Sequence, residues 1–390
     1  MSLPTRPDTF DRTAAAASAT GPTACGEAVE RAIASLGATP GLVLFFPAGD
    51  VDPVRAASDA QEAAGNALVA GMTGTAAIGD DGFVKTGCSA LAFSSSFCAG
   101  VGAVDDDDPA AAGHSATAKA LAAVDESLHQ VVLLFVDSES GDQAEVVAGA
   151  YAAAGGKVPL AGGAAGGRSR TRFAGGRALT EGVVAVAIGS KRPIGVGIAH
   201  GCVPRGTPSI VTRADGPNVI HLDGRPAQDV YFEKLGIDGD AVDDEEFEVL
   251  TMVHPLAEPE LSGAVRPRYL RARGPDGALV CATRLERNAA VEICDQTADA
   301  IVESARAAVA DAVSELDGPA EAAIVFDCAA RAAWSGGAIA EREHRALTGA
   351  FGNAAPRIAG ACTRGEIGRA RGAKGDRNHS VVVVALGAPD

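Results

Sequence analysis

Between Arg357 and Ile367 the chain reads RIAGACTRGEI, and the five residues Cys362 to Glu366 carry a thiol, a hydroxyl, a guanidinium and a carboxylate. Gly360 before the run and Gly365 inside it let backbone come close to whatever sits there, while the polar side chains offer donors and acceptors. That combination suits the holding of a small polar molecule. A polar turn at a strand end fits the same residues, because such loops are common whether or not they bind anything.

Other chemistries ask for more than this chain supplies. A cysteine nucleophile needs a base, usually histidine, to lower its thiol pKa. Cys202, Cys328 and Cys362 lie in patterned segments, yet the sequence places no histidine beside them, and His379 is only a distant candidate for Cys362. Packed or pocket-lining thiols are therefore the expectation. The eight cysteines form no CxxC pair, so no zinc spacing is present. Glycines 162, 163, 166 and 167 could cradle a phosphate beside Arg168, Arg170 and Arg172. Their pattern is not the dinucleotide or P-loop fingerprint, and a flexible turn fits it as well.

The elements that must position these residues recur in one order. Leu42–Phe46 reads as a buried strand, 54–65 as a helix, and Leu68–Ala70 as a strand meeting Gly71, with Thr73 just beyond. Val131–Val136, the helix 142–154 and Val158–Ala161 repeat that order up to Gly162 and Gly163. Ala323–Phe326, the helix 339–351 and Ile358-Ala359 repeat it again up to Gly360, and Val381–Val384 closes the third unit as a strand buried on both faces. Three matches in the same order predict an α/β fold of repeated strand–helix–strand units in mixed, mainly parallel sheets. Between the second and third units the pattern changes. His200–Gly206 reads as a turn-rich segment, Tyr269–Arg273 and Ala278–Ala282 as a hairpin around Pro275-Asp276-Gly277, and 299–316 as a long helix.

Composition narrows the function classes. At 390 residues and 47% hydrophobic content the chain is long enough for two or three packed domains. A formal charge of −17 argues against nucleic acid as a partner, since phosphate binding needs a basic face. No apolar run reaches about 18 residues, so no membrane span is expected. The first 20 residues lack an apolar signal core, which predicts a cytoplasmic protein with reduced thiols and a disordered tail over residues 1–25. The acidic run 105–108 reads as a solvated loop, and the acidic stretch 237–249 as a linker between domains at 26–236 and 250–390.

These segments together resemble the FIST sensory proteins, with an N-terminal and a C-terminal FIST domain. The first domain is carried by Gly71-Met72-Thr73, by Pro159-Leu160-Ala161-Gly162-Gly163, and by Gly201-Cys202-Val203-Pro204 with Leu222-Asp223-Gly224-Arg225-Pro226-Ala227. The second is carried by Asp327-Cys328-Ala329-Ala330-Arg331, by Gly360–Ile367 and by Asn378. The resemblance implies a small-ligand sensory module with an amino acid or another small carboxylate as ligand. In that reading Arg331 holds the carboxylate, Glu366 takes the amine, and Thr363 and Asn378 add hydrogen bonds. Gly71, Gly162 and Gly360 bring backbone N–H groups to the site, and Thr73, Gly163, Cys202, Cys328 and Cys362 line it. The chain departs from the family pattern at Ala330, Ala361 and Arg377, which implies a smaller and more cationic pocket. Some relatives sense nitric oxide through haem; no cofactor is expected here, because Arg377 stands where relatives often carry histidine. The ending at Asp390 leads to the expectation that any signal leaves through a separate partner protein, and homo-oligomerisation stays open. The competing readings are an enzyme working through Cys328 or Cys362 on a small carbonyl compound and a haem-based nitric oxide sensor.

Overall fold

The structure, a computed structural model, describes residues 12–138, 143–260, 263–333, 338–352, 356–369 and 375–388. The chain begins with β1 (Ala14–Ala19), α1 (Ala24–Leu36), β2 (Pro40–Ala48), α2 (Pro53–Ala64) and β3 (Leu68–Met72). A hairpin, β4 (Ala77–Gly79) and β5 (Gly82–Val84), leads into β6 (Gly87–Ser94). Next come β7 (Cys98–Val104), α3 (Pro109–Leu121), β8 (His129–Val136), α4 (Gln143–Ala154) and β9 (Leu160–Ala164). A second hairpin, β10 (Arg172–Ala174) and β11 (Arg177–Leu179), precedes β12 (Val183–Ser190) and β13 (Ile194–His200).

Residues 202–296 build a sheet of their own. They form β14 (Cys202–Asp215), β15 (Asn218–Leu222), β16 (Arg225–Pro226), α5 (Ala227–Leu235), α6 (Asp244–Val253), β17 (Leu256–Pro259), β18 (Val265–Arg268), β19 (Leu270–Arg273), β20 (Leu279–Cys281) and β21 (Ala290–Gln296). The chain then runs α7 (Ala298–Ser314), β22 (Ala322–Cys328), α8 (Ala329–Ala333), α9 (Ala338–Ala350) and β23 (Arg357–Thr363). It ends in β24 (Glu366–Arg369), β25 (Asp376–Arg377) and β26 (Ser380–Leu386).

Three six-stranded sheets result, ordered β1-β6-β2-β3-β10-β11, β7-β12-β8-β9-β24-β25 and β13-β26-β22-β23-β4-β5. Each has one parallel pair at its centre, β2 with β3, β8 with β9, and β22 with β23. Among the described residues every other pairing of these strands is antiparallel, so the sheets are mixed but not mainly parallel as the alternation of strands and helices suggested. A strand–helix–strand crossover makes one parallel pair; the remaining neighbours arrive through hairpins and long returns, which run antiparallel. The hairpin after each central pair leaves its own sheet: β4-β5 joins β23, β10-β11 joins β3, and β24-β25 joins β9.

Strands that read as continuous apolar runs are buried on both faces, because each sheet lies between helices and a shared centre. Leu42, Leu44 and Phe46 of β2 face that centre with Leu133 and Phe135 of β8 and Ile324 and Phe326 of β22. Val43 and Phe45 face α1 and α2 instead. Phe46, Phe135 and Phe326 form a closed triangle, with ring centroids 6.0 to 6.1 Å apart. Edge contacts at this distance add about 0.5–1.5 kcal/mol each beyond area burial. Among the described residues no helix is long and apolar enough to cross a membrane.

Two segments differ from the sequence expectation. The tail assigned to residues 1–25 gives way at Ala14 to β1, which pairs with β6, and its residues 1–11 lie outside the described residues. The acidic stretch 237–249 holds the first half of α6, whose Asp243–Glu246 capping box starts the helix and whose Phe247 is buried against Tyr231 and Phe232. Asp108, the last of the acidic run 105–108, is also structural: its carboxylate accepts from the N–H groups of Ala110 and Ala111 and caps α3.

Candidate functional site

At the ends of β22 and β23 lies a cavity of about 640 Å³. Cys328 and Thr363 end those strands, and Ala329, Ala330, Ala332 and Ala333 of α8 form one wall. The unit of residues 202–296, the middle sheet of the chain with its helices, supplies the opposite wall through Glu248 and Met252 of α6, Tyr269, and Arg271 of β19. Thr75, Ala76 and Lys85, which flank the exchanged hairpin β4-β5, complete it with Ser138, Arg364 and Asn378. Among the described lining residues, Lys85, Arg271 and Arg364 bring three cations beside one carboxylate, Glu248. Arg271 is anchored by donating to Ser138 O at 2.7 Å. Asn378 Oδ1 accepts from Tyr269 N at 3.2 Å, which ties the hairpin to the third sheet.

Of the residues singled out from sequence, Cys328, Thr363 and Asn378 line this cavity. Glu366 stands one residue behind the wall. It is fully buried, and its Oε1 accepts from Thr363 Oγ1 at 2.9 Å while Oε2 accepts from Ser380 N at 3.1 Å and Ser380 Oγ at 2.9 Å. Burial raises its carboxyl to about 7 against the pull of those hydrogen bonds. It reaches the cavity only through Thr363.

Arg331 does not face the cavity, which corrects the carboxylate-holding role. Its Nε donates to Asp327 at 2.9 Å, Nη1 to Ser304 Oγ at 3.0 Å and His379 O at 3.3 Å, and Nη2 to Ile301 O at 3.3 Å and to Glu343. Every donor is taken, and the side chain has no exposed surface. The guanidinium joins β22 to α7 and α9. Burial, with Glu343 beside it, pushes the Asp327 carboxyl up, so the two acids press round one guanidinium.

The glycines also have a different role from the one expected. A Cβ on Gly71 would stand 1.8 Å from Phe45 O, one on Gly162 2.0 Å from Leu134 O, and one on Gly360 1.8 Å from Val325 O. Each carbonyl belongs to the residue in register on the parallel neighbour. These positions are glycine because two strands close on each other, inside the ladder rather than at a ligand. Gly163 similarly leaves room for Thr363, whose Cγ2 would lie 2.8 Å from an added Cβ.

Cys202 opens β14, paired with Gln296 of β21 and packed beside Cys294, and so lies away from the cavity; the segment read as turn-rich is the end of β13 at His200 and the start of β14 at Cys202, joined through Gly201. Cys362 is fully buried behind the wall, with its carbonyl accepting from Thr75 N at 2.9 Å. Burial pushes both the Cys328 and Cys362 thiols up, the reverse of an activated nucleophile. Thr73 is a clamp: its backbone and hydroxyl hold both ends of the segment 166–171.

Haem would need a histidine or thiolate facing a cavity. Among the described lining residues there is no histidine, and the thiol that lines the cavity, Cys328, is held in its neutral form by burial. His379 is fully buried with Nδ1 3.2 Å from Gln296 Oε1, and burial with Arg331 nearby lowers its imidazole to about 3. These residues do not fit a haem. Among the described residues no cluster of three or more His, Cys, Asp or Glu is placed to hold a metal.

The cavity residues that sequence reasoning missed are Glu248, Met252, Tyr269, Arg271, Lys85 and Thr75. The hairpin carrying Tyr269 and Arg271 was visible, but its tie to Asn378 joins residues 109 positions apart. Lys85 carried a faint signal as one of only six lysines.

Comparison with known proteins places this geometry. Two Mycobacterium tuberculosis proteins, from strains CDC 1551 / Oshkosh and ATCC 25618 / H37Rv and both named as uncharacterized, are each 30% identical over 159 residues. The match covers 39% of this chain and 41% of each relative, so this chain spans less than half the length of those relatives. Two solved cyanuric acid hydrolases, one from A. caulinodans, align over 96% of this chain at 12% and 11% identity. They are covered to 99% and 98%, and their TM-scores of 0.37 and 0.35 are too low to carry an argument about this chain. The FIST N domain model matches residues 41–225 and the FIST C domain model residues 227–369. With nearly the whole chain matched by these two models, the protein belongs to the FIST family.

Proposed function

We propose that this protein is a small-ligand-binding sensory module whose ligand is an amino acid or another small carboxylate, held in the cavity between α8, β23 and the middle sheet. The observation that carries the reading is the lining, whose described residues supply three cations, one carboxylate and the polar groups of Thr363, Tyr269 and Asn378 around about 640 Å³. That volume falls within the usual 300–1,000 Å³ of small-molecule sites. Arg271 and Arg364, with Lys85, take the carboxylate in place of Arg331, and Glu248 takes the amine in place of Glu366. The three sheets read as repeats of one unit, with Gly71, Gly162 and Gly360 and the three phenylalanines at matching positions. The cavity sits where the third unit meets the segment 202–296, which acts as its outer wall. A separate signalling protein reads the occupied state.

A thermal-shift screen of amino acids and small carboxylates tests this. A ligand that binds only the folded protein stabilises it by about 2.7 kcal/mol at a hundredfold excess over its dissociation constant. At least one compound is expected to raise the melting temperature, and Arg271→Ala should weaken its binding by roughly 10- to 100-fold, the worth of a charge-assisted hydrogen bond. A screen without a stabilising compound, or a shift indifferent to both Arg271→Ala and Arg364→Ala, contradicts the assignment.

A further inference from the structure

Residues 202–296 are joined to the rest of the chain at two points that lie side by side. The chain enters from β13 through Gly201 and leaves from β21 through Thr297 into α7, and Cys202 and Gln296 between these points are paired in register. A Cβ on Gly201 would stand 2.7 Å from Ala300 C, so the first crossing is pressed against the first turn of α7. Thr297, in the second crossing, caps that same turn, its Oγ1 accepting from Ala300 N at 3.2 Å. Both crossings are thus fixed at one place.

The unit carries its own hydrophobic core. Leu222, Tyr231, Phe247, Leu279 and Ile293 belong to a cluster drawn from residues 211–293 alone, and Cys202, Ala257, Val265 and Cys294 form another. Among the described residues no buried apolar cluster has members from both the unit and the three sheets. Across the junction the ties are ion pairs and hydrogen bonds. Arg266 Nη1 donates to Asp376 Oδ1 at 2.9 Å and Arg268 Nη1 to Asp376 Oδ2 at 2.6 Å, so two guanidiniums of β18 grip one carboxylate of β25. Glu258 of β17 accepts from both arginines on the unit's own side. Arg266, Arg268 and Asp376 are all buried. Beside them Arg377 donates to Glu260 at 3.0 Å, and Tyr269 N donates to Asn378 Oδ1 at 3.2 Å. The ring of Tyr269 adds a contact to His379, with centroids 5.7 Å apart.

A junction of this kind can part. Returning both members of an ion pair to water restores the hydration that burial cost, whereas removing one partner strands the other. Bodies with separate cores and a polar junction move relative to one another by default. We propose that residues 202–296 swing as one body about the crossings at Gly201 and Thr297, with the Arg266–Arg268 grip on Asp376 as the latch of the closed position. Glu248, Met252, Tyr269 and Arg271 travel with the unit, while Cys328 and Thr363 on the opposite wall stay behind. The latch thereby sets the width of the cavity, whatever molecule the cavity holds.

Native-state hydrogen exchange of the full chain, resolved to single amides, tests this. Tyr269 N–H bridges the junction, Cys294 N–H donates to Pro255 O at 2.9 Å inside the unit, and Val132 N–H donates to Pro159 O at 3.0 Å inside the sheets. Opening as one body exposes the first and leaves the other two covered. Asp376→Asn keeps the shape of the side chain but removes the charge that both arginines hold. It should speed exchange at Tyr269 by roughly tenfold or more relative to Cys294 and Val132. Glu260→Gln, at the partly exposed rim of the same junction, should act in the same direction by a smaller factor, and it decides the matter if Asp376→Asn does not fold. Tyr269 keeping step with Cys294 and Val132 in the folded variants would show that the junction opens only when the protein unfolds, and would overturn the proposal.

Discussion

A guanidinium taken out of water must find partners for all its N–H groups, and Arg331 finds them on β22, α7 and α9 and at His379. Removing it strands Asp327 and Glu343 as buried acids, so Arg331→Ala should cost about 3–5 kcal/mol in urea unfolding. A loss below about 1 kcal/mol would return Arg331 to the list of ligand contacts. Glu366 makes a second test at this scale. Its folded-state pKa of about 7 stands above the ordinary carboxyl value, so the folded protein holds the proton more tightly than the unfolded chain. Its contribution to stability is therefore full below about pH 4.5 and is lost as pH rises through about 7. Glu366→Gln should gain stability relative to the parent between pH 5.5 and 8.5, on the order of 2 kcal/mol over that window. A difference that stays flat with pH would show that the carboxyl titrates normally. Thr363, Asn378 and Cys328 line the cavity, and the sequence singled them out because they sit where a polar run meets strand ends. Arg331 and Glu366 were misplaced for one reason. Sequence shows that a charged residue follows a buried strand, while the partners that claim it come from Ser304, Glu343 and Ser380, on other elements.

Elements with strong local signals were readable. Leu42–Phe46, Val131–Val136 and Val381–Val384 are apolar without interruption, and each lies in a strand buried on both faces. β1 was missed because Ala14–Ala19 is almost all alanine, which lacks the β-branched and aromatic residues that mark strands. Sheet direction was misread because the hairpins β4-β5, β10-β11 and β24-β25 pair outside their own units, and nothing local announces the exchange. The glycines of β3, β9 and β23 were seen as a set but assigned to ligand contact instead of strand closure. Gly360→Ala should cost about 2–4 kcal/mol, since a Cβ would overlap Val325 O at 1.8 Å and two paired strands would have to part. Gly349→Ala is its control: this helical glycine meets nothing within 4 Å, so alanine should be neutral or stabilise by up to about 1 kcal/mol. Equal costs for the two variants, measured by chemical denaturation, would remove the close-approach argument.

At the scale of the molecule, three sheets share one core, and the ends of their central strands converge on the exchanged segments. Open space arises where this convergence is incomplete, at β22 and β23 beside the sheet of residues 202–296 and at β2 and β3 beside the segment 166–171. None of that is visible in a linear pattern, because the first cavity joins Thr75, Arg271, Ala330 and Thr363 from four separated stretches of chain. Native mass spectrometry of the full chain with a stabilising carboxylate tests the central claim most directly, when it compares the parent with Ala330→Trp. Ala330 lies on the cavity wall in α8, so an indole there occupies ligand space without touching the Arg331 network. The account predicts one bound carboxylate per chain in the parent and none in Ala330→Trp at the same ligand concentration, with both proteins folded by circular dichroism. A folded Ala330→Trp that retains the ligand in full would contradict it.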